Sequence, residues 1–220
     1  MNLRVVEDPA AEAAELLSAA AAAGGHVVLT GGSSPGRAYE LAAGADWSRA
    51  TVWFGDERCV PPDHELSNYR MADAKLLSKV QTTVMRMEGE LGPEAGAGAY
   101  EAAVRANLGG EPRWDLLLLG LGPDGHTASL FPSKPEREER SRLVVGVPEA
   151  GMEPQVPRIT MTLPCLNAAR HVAFLVTGAA KAEAVRRAFG DPADPTSPAA
   201  HVRPPAGGLT VLLDEGAAGR

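Results

Sequence analysis

His126 follows Asp124 by two positions in Gly120-Leu121-Gly122-Pro123-Asp124-Gly125-His126-Thr127, directly after the apolar run Trp114 to Leu119. Histidine titrates near neutrality and is the commonest general acid or base. Set among glycines after a buried strand, it has little packing reason to exist, so proton transfer is the chemistry expected of His126. Asp124 either orients it or shapes the loop. A second polar loop, Gly31-Gly32-Ser33-Ser34-Pro35-Gly36, comes directly after His26 to Thr30. Its glycines admit backbone amides to an anion, its serines add hydroxyl donors, and a helix starting there adds partial positive charge. The same composition suits a tight strand-to-helix turn, and the lysine of a P-loop is absent.

Asp56-Glu57-Arg58 ends the run TVWFG and precedes Cys59-Val60-Pro61-Pro62. Three successive charges would ordinarily be a solvated turn, but the two prolines stiffen the adjoining loop and aim these side chains. Arg158, opening RITMT, and Lys181, in TGAAK, place one cation at the start of a strand and another in the first turn of the helix after the next strand. A lysine there opposes the helix dipole unless it binds something. Surface decoration is the plain alternative for either cation alone. Gly120, Gly122 and Gly125 also spell GxGxxG, but a dinucleotide site needs a helix opening on the third glycine, and Pro132 and Pro135 interrupt it.

The elements that must position these residues alternate short apolar or β-branched runs with Ala-rich helical stretches, the pattern of an α/β fold with a mostly parallel sheet and helices on both faces. Strands are predicted at 26–30, 51–54, 83–87, 114–119, 143–147, 159–163, 171–177 and 209–213. Helices are predicted at 9–23, 36–43, 67–79, 94–107 and 179–189. In such sheets ligands sit beyond the carboxyl ends of strands, where the polar loops fall. No linker or repeat divides the 220 residues, so a single domain spanning 1–220 is expected.

With 45% hydrophobic and 22% charged residues the composition is that of an ordinary soluble chain. A net charge of −7 provides no overall field for nucleic acid or an acidic membrane, so an anionic ligand must be held by local groups. The two cysteines, Cys59 and Cys165, lie far apart without metal-ligand spacing and read as reduced thiols. Acidic residues break the Ala-rich opening, and no run reaches the ~18 apolar residues of a membrane span, so a cytoplasmic protein is expected.

The stretches GGSSPGRAY, WFGDERCVPPDHELSNY, LGLGPDGHTASLFP, PRITMTLP and TGAAK, in this order, resemble the 6-phosphogluconolactonases, a branch of the fold shared with glucosamine-6-phosphate deaminases. The resemblance runs from about residue 26 to residue 205, taking in Pro198-Ala199-Ala200-His201-Val202. It implies a three-layer, Rossmann-like α/β sandwich of the sugar-phosphate isomerase/lactonase type. It also implies no cofactor, no metal, and hydrolysis of 6-phosphoglucono-δ-lactone in the pentose phosphate pathway. The expected partner is that small sugar-phosphate lactone, with no nucleic acid or membrane, and the chain is expected as a monomer or weak homo-oligomer.

On that reading His126 takes a proton from the attacking water and returns it to the departing ring oxygen. Arg58 stabilises the developing oxyanion or orients the lactone, and Asp56 holds Arg58 or meets sugar hydroxyls. The Gly31 and Gly32 amides, Ser33, Arg158 and Lys181 form a phosphate cradle, and the resemblance adds Asn68 as a hydroxyl contact. The deaminases are the alternative. They read DGHIAFNEP, which sets Phe131 where they carry a ring-opening glutamate, and they commonly have tyrosine at the position of Arg58. A third reading, a non-enzymatic sugar-phosphate sensor with an added helix-turn-helix, needs more than the roughly 25 residues that precede the first predicted strand. His26, His64, His171 and His201 are expected to play no catalytic part.

Overall fold

Runs such as Leu116–Leu119 and Val27 to Leu29 are buried at every residue, which suits strands covered on both faces rather than the alternation of a half-exposed sheet. The computed structural model describes residues 1–204 and 207–220, apart from the side chain of Ser33. In chain order the elements are β1 (Asn2–Val5), α1 (Pro9–Ala22), β2 (His26–Leu29), α2 (Ser33–Ala42), β3 (Thr51–Phe54), β4 (Asp56–Arg58), α3 (Asn68–Lys75) and β5 (Thr83–Val84). Then come α4 (Pro93–Leu108), β6 (Leu116–Leu119), β7 (Val144–Val147), β8 (Arg158–Met161), α5 (Leu163–Asn167), β9 (His171–Val176), α6 (Ala182–Phe189) and β10 (Gly208–Leu213).

Seven strands form a sheet ordered β1-β10-β9-β6-β2-β3-β5, and every pairing in it is parallel. From β2 the chain winds outward through β3 and β5, then β6 returns to the other side of β2 and the winding continues through β9 and β10. The reversal between β2 and β6 is a topological switch point, which opens a crevice above their carboxyl ends. Helices flank this sheet, giving the expected α/β sandwich. A second sheet of three antiparallel strands, ordered β4-β8-β7, stands beside that crevice, with α4 packed on β7 and β8. Among the described residues no helix is long and apolar enough to cross a membrane.

Local chemistry explains the helix ends. Asp8 accepts from the Ala11 amide at 3.2 Å and Pro9 occupies the first turn, so α1 starts where its free N–H groups are satisfied. A buried aromatic knot joins the helical layer to the sheet: the Trp53 ring meets Trp114 at 5.4 Å and Tyr100 at 5.9 Å, both edge-on. The Tyr100 hydroxyl also accepts from the Phe54 amide at 2.8 Å and donates to the Phe54 carbonyl at 3.2 Å. This fixes α4 to the end of β3, just ahead of Asp56.

Several boundaries and three elements differ from the sequence reading. Asp56-Glu57-Arg58 is not a solvated turn: it is strand β4, paired with Thr160, Ile159 and Arg158, and Asp56 and Glu57 are buried. The first strand is β1, a short and half-exposed edge strand. Helix α2 starts at Ser33 rather than Gly36, helix α3 gives way to a 3-10 turn at Leu77–Lys79, and only Thr83–Val84 pairs in the stretch predicted to Met87. The strand predicted to Leu163 ends at Met161, and the missed helix α5 comes next. The loop after β6 opens no helix, so the GxGxxG spelling has no dinucleotide geometry behind it.

Candidate active site

Four parallel strands deliver polar loops to one place. Beyond β2 come Gly31, Gly32 and Ser34, beyond β3 Asp56 and Arg58, beyond β6 Gly120 to Pro123 and His126, and beyond β9 Thr177 and Lys181. Together with Asn68, Arg158, Met152 and Glu153 they line a cavity of about 330 Å3, at the small end of the range for small-molecule sites. The expected residues Gly31, Gly32, Asp56, Arg58, Asn68, His126, Arg158 and Lys181 thus share one cavity, and Asp124 stands behind His126. Ser33 opens α2, and its side chain lies outside the described part of the structure.

His126 Nδ1 lies 2.6 Å from Asp124 Oδ1, which also accepts from the His126 amide at 3.1 Å. Burial resists charge on Asp124, but the hydrogen bonds it accepts from the His126 ring and amide outweigh it and hold its carboxyl below the usual range. An ionised Asp124 requires Nδ1 to carry a proton, which leaves Nε2 as the nitrogen that exchanges one. Gly122 makes this arrangement possible, since a Cβ there would sit 2.0 Å from His126 Nδ1. The Phe131 ring packs 4.8 Å from the imidazole, and Ala128, at φ 48, is a non-glycine residue in the left-handed region.

Opposite stand two guanidiniums from directly paired strand positions, Arg58 and Arg158. Arg58 Nη1 donates to the Leu66 carbonyl at 2.6 Å, while its buried Nε has no partner among the described residues. Arg158 is itself buried; burial first, and then the charge of Arg58, pulls its pKa down. Its Nε donates to the Val156 carbonyl at 3.0 Å and its Nη2 to the Pro154 carbonyl at 2.7 Å, so it also ties down the loop joining β7 to β8.

Of the two roles expected of Asp56, holding Arg58 finds no support: among the described residues the two make no ion pair. Its Oδ2 accepts from Ser129 Oγ at 2.7 Å and its Oδ1 from Asn68 Nδ2 at 3.3 Å, so it braces the floor of the cavity between the His126 loop and α3. Lys181 closes a 3-10 turn ahead of α6. Burial lowers its pKa and the nearby Asp124 charge opposes that. Ser34 Oγ and Thr177 Oγ1 lie 2.8 Å apart and bridge the loops after β2 and β9. The sequence marks Ser34 only as one of its loop's serine donors and gives Thr177 no role; the available signal for Thr177 is a hydroxyl directly beyond a buried strand.

A family model described as glucosamine-6-phosphate isomerases/6-phosphogluconolactonase matches residues 3–211. The chain belongs to that family. Among its curated members, human 6-phosphogluconolactonase is 42% identical over 182 residues, covering 80% of this chain and 70% of its own length. The 6-phosphogluconolactonase of Synechocystis sp. is 39% identical over 199 residues, covering 86% and 81%. The solved 6-phosphogluconolactonase structure from Trypanosoma brucei superposes with a TM-score of 0.85 at 29% identity, covering 99% of this chain and 97% of that one.

Proposed function

We propose that the chain hydrolyses 6-phosphoglucono-δ-lactone to 6-phosphogluconate, the lactonase step of the pentose phosphate pathway, through the residues of this cavity. It is a carboxylic ester hydrolase, and residues 1–220 act as a single domain in the cytoplasm. The names of its curated relatives support the reaction. The observation that carries the mechanism is His126, backed by Asp124, facing the same cavity as Arg58, with Phe131 against the imidazole at the position where the deaminases carry a glutamate.

His126 Nε2 takes a proton from water as the water oxygen attacks the lactone carbonyl carbon. Arg58 stabilises the negative charge gathering on the carbonyl oxygen. As the tetrahedral intermediate collapses, the bond to the ring oxygen breaks and the imidazolium protonates that oxygen. The new carboxylic acid then loses its proton to solvent. A base worth about 10²–10⁴, together with positioning, suffices for a lactone, and no covalent nucleophile is needed. Lys181, Arg158, the Gly31-Gly32 amides and the hydroxyls of Ser34 and Thr177 hold the remote phosphate.

A deaminase must open a pyranose and move protons between carbons, and the buried Phe131 offers no carboxylate for that work. The test is hydrolysis of freshly generated 6-phosphogluconolactone alongside ammonia release from glucosamine 6-phosphate. Lactone hydrolysis without ammonia is the expected result. Ammonia without lactone hydrolysis would overturn the reading.

A further inference from the structure

Glu57 lines no part of the cavity, yet two residues that do are hung on its carboxylate. Oε1 accepts from the Arg58 amide at 2.7 Å and the Asn68 amide at 2.7 Å. Oε2 accepts from the Tyr69 amide at 2.8 Å and Ser67 Oγ at 3.0 Å. The residue is 3% exposed, so these donors replace the water it has lost.

The arrangement closes the amino end of α3 from outside the helix. Asn68 and Tyr69 donate to Glu57, Arg70 donates to Ser67 Oγ at 3.1 Å, and the Ser67 amide donates to the His64 carbonyl at 3.0 Å. All four free N–H groups of the first turn are then satisfied, and a negative charge sits at the positive end of the helix. The capping carboxylate comes from β4, and its neighbours in that strand are Asp56 and Arg58. The Asn68 side chain donates back to the Asp56 carbonyl at 2.9 Å, and the Arg58 guanidinium donates back to the Leu66 carbonyl at 2.6 Å. Strand and helix end are thereby closed into a ring whose carboxylate joint is Glu57.

We propose that Glu57 is a positioning residue for the hydrolysis, its carboxylate fixing Arg58 and Asn68 at the reacting end of the lactone while leaving the phosphate end untouched. Burial, reinforced by the adjacent Asp56, pushes the Glu57 pKa up, and the amides of Tyr69, Asn68 and Arg58 oppose the shift. The carboxylate therefore depends on this ring for its charge as much as the ring depends on it. The phosphate-binding groups hang on other supports: Gly31, Gly32 and Ser34 stand beyond β2, Thr177 and Lys181 beyond β9, and Arg158, though its strand pairs with β4, is held by the Val156 and Pro154 carbonyls and not by Glu57.

This inference rests on the lactonase reading, so wild-type activity on 6-phosphogluconolactone is measured first, and its absence strikes that reading instead. Glu57→Gln keeps the shape but turns an amide NH2 toward two existing donors whichever way it is placed. The expected result is a fall in kcat of about 10- to 100-fold, as misplacement by an ångström brings, with the affinity for inorganic phosphate within about twofold of wild type. Because the effect passes through Arg58, the same change made in Arg58→Ala should lower kcat by no more than about threefold. Equal losses in both backgrounds, a kcat within twofold of wild type, or a matching loss of phosphate affinity would each overturn the proposal. If Glu57→Gln does not fold, Glu57→Asp carries the same measurements with the charge kept one methylene short. Failure of both to fold would make Glu57 a residue of the fold alone and overturn it as well.

Discussion

Replacing Asp124 with asparagine isolates the charge behind His126. The asparagine oxygen can occupy the site of Oδ1, because the His126 amide, 3.1 Å away, still needs an acceptor there and the imidazole Nδ1 lies 2.6 Å off. The ring orientation and its tautomer therefore survive, and only the charge is lost. A hydrogen bond to a charged group contributes about 1.5–3 kcal/mol and a neutral one about 0.5–1.5, a difference of about 1–1.5 kcal/mol, or roughly 5- to 13-fold in rate. That loss should fall on kcat in a stopped assay with freshly made lactone, since the imidazolium exists only after proton transfer. A variant within twofold of wild type would reduce Asp124 to a loop-shaping role. A loss beyond about 10³-fold would mean that the tautomer had been lost, refuting the argument from the amide.

The same substitution has a stability signature. The folded Asp124 carboxyl titrates below its usual range, so the stabilisation it provides is present above the unfolded pKa near ~3.9 and disappears as the pH falls through the folded value. Asp124→Asn removes that dependence, and its melting temperature should decline less steeply than that of wild type on acidification below about pH 4. His126→Ala should lower kcat by about 10²–10⁴ with a much smaller change in KM, and activity within threefold of wild type would remove it as the base. Lys181→Ala should shrink the preference for the phosphorylated over the plain gluconolactone by about 10- to 150-fold while leaving the plain substrate's rate nearly unchanged, which paired kcat/KM values would reveal. Equal losses on both substrates would assign Lys181 to the fold or the carbonyl. Tyr100→Phe strips the buried Phe54 amide of its acceptor and should destabilise the chain by about 1–3 kcal/mol, read as a lowered midpoint in urea; an unchanged midpoint would show that the amide finds another partner.

The residues of the cavity were legible because they sit where periodicity breaks: glycines, hydroxyls and charges directly after runs such as HVVLT and WDLLLL. What stayed hidden depends on partners far along the chain. Asp56-Glu57-Arg58 reads as a turn until β8, about a hundred residues on, supplies its pairing and hides its carboxylates. Ser34 and Thr177 are separated by 143 positions, and only the parallel order of β2, β6 and β9 brings their hydroxyls together. The spacing of Asp124 and His126 allowed either an orienting or a shaping role, and a distance was needed to favour the first. Strand β1 escaped notice because an edge strand with half-exposed residues carries almost no apolar signature.

The pairing of Arg58 with Arg158 has a consequence for the lifetime of the protein. Two like charges held opposite each other on neighbouring strands, one of them buried, raise the free energy of the empty fold. An anion entering the cavity between them cancels that repulsion, and it binds the folded chain but not the unfolded one, so the folded population grows with its concentration. Proteolysis in the cell acts on the unfolded fraction. The chain with its cavity filled by an anion therefore unfolds less often than the empty one, and part of that difference is the relief of the two arginines.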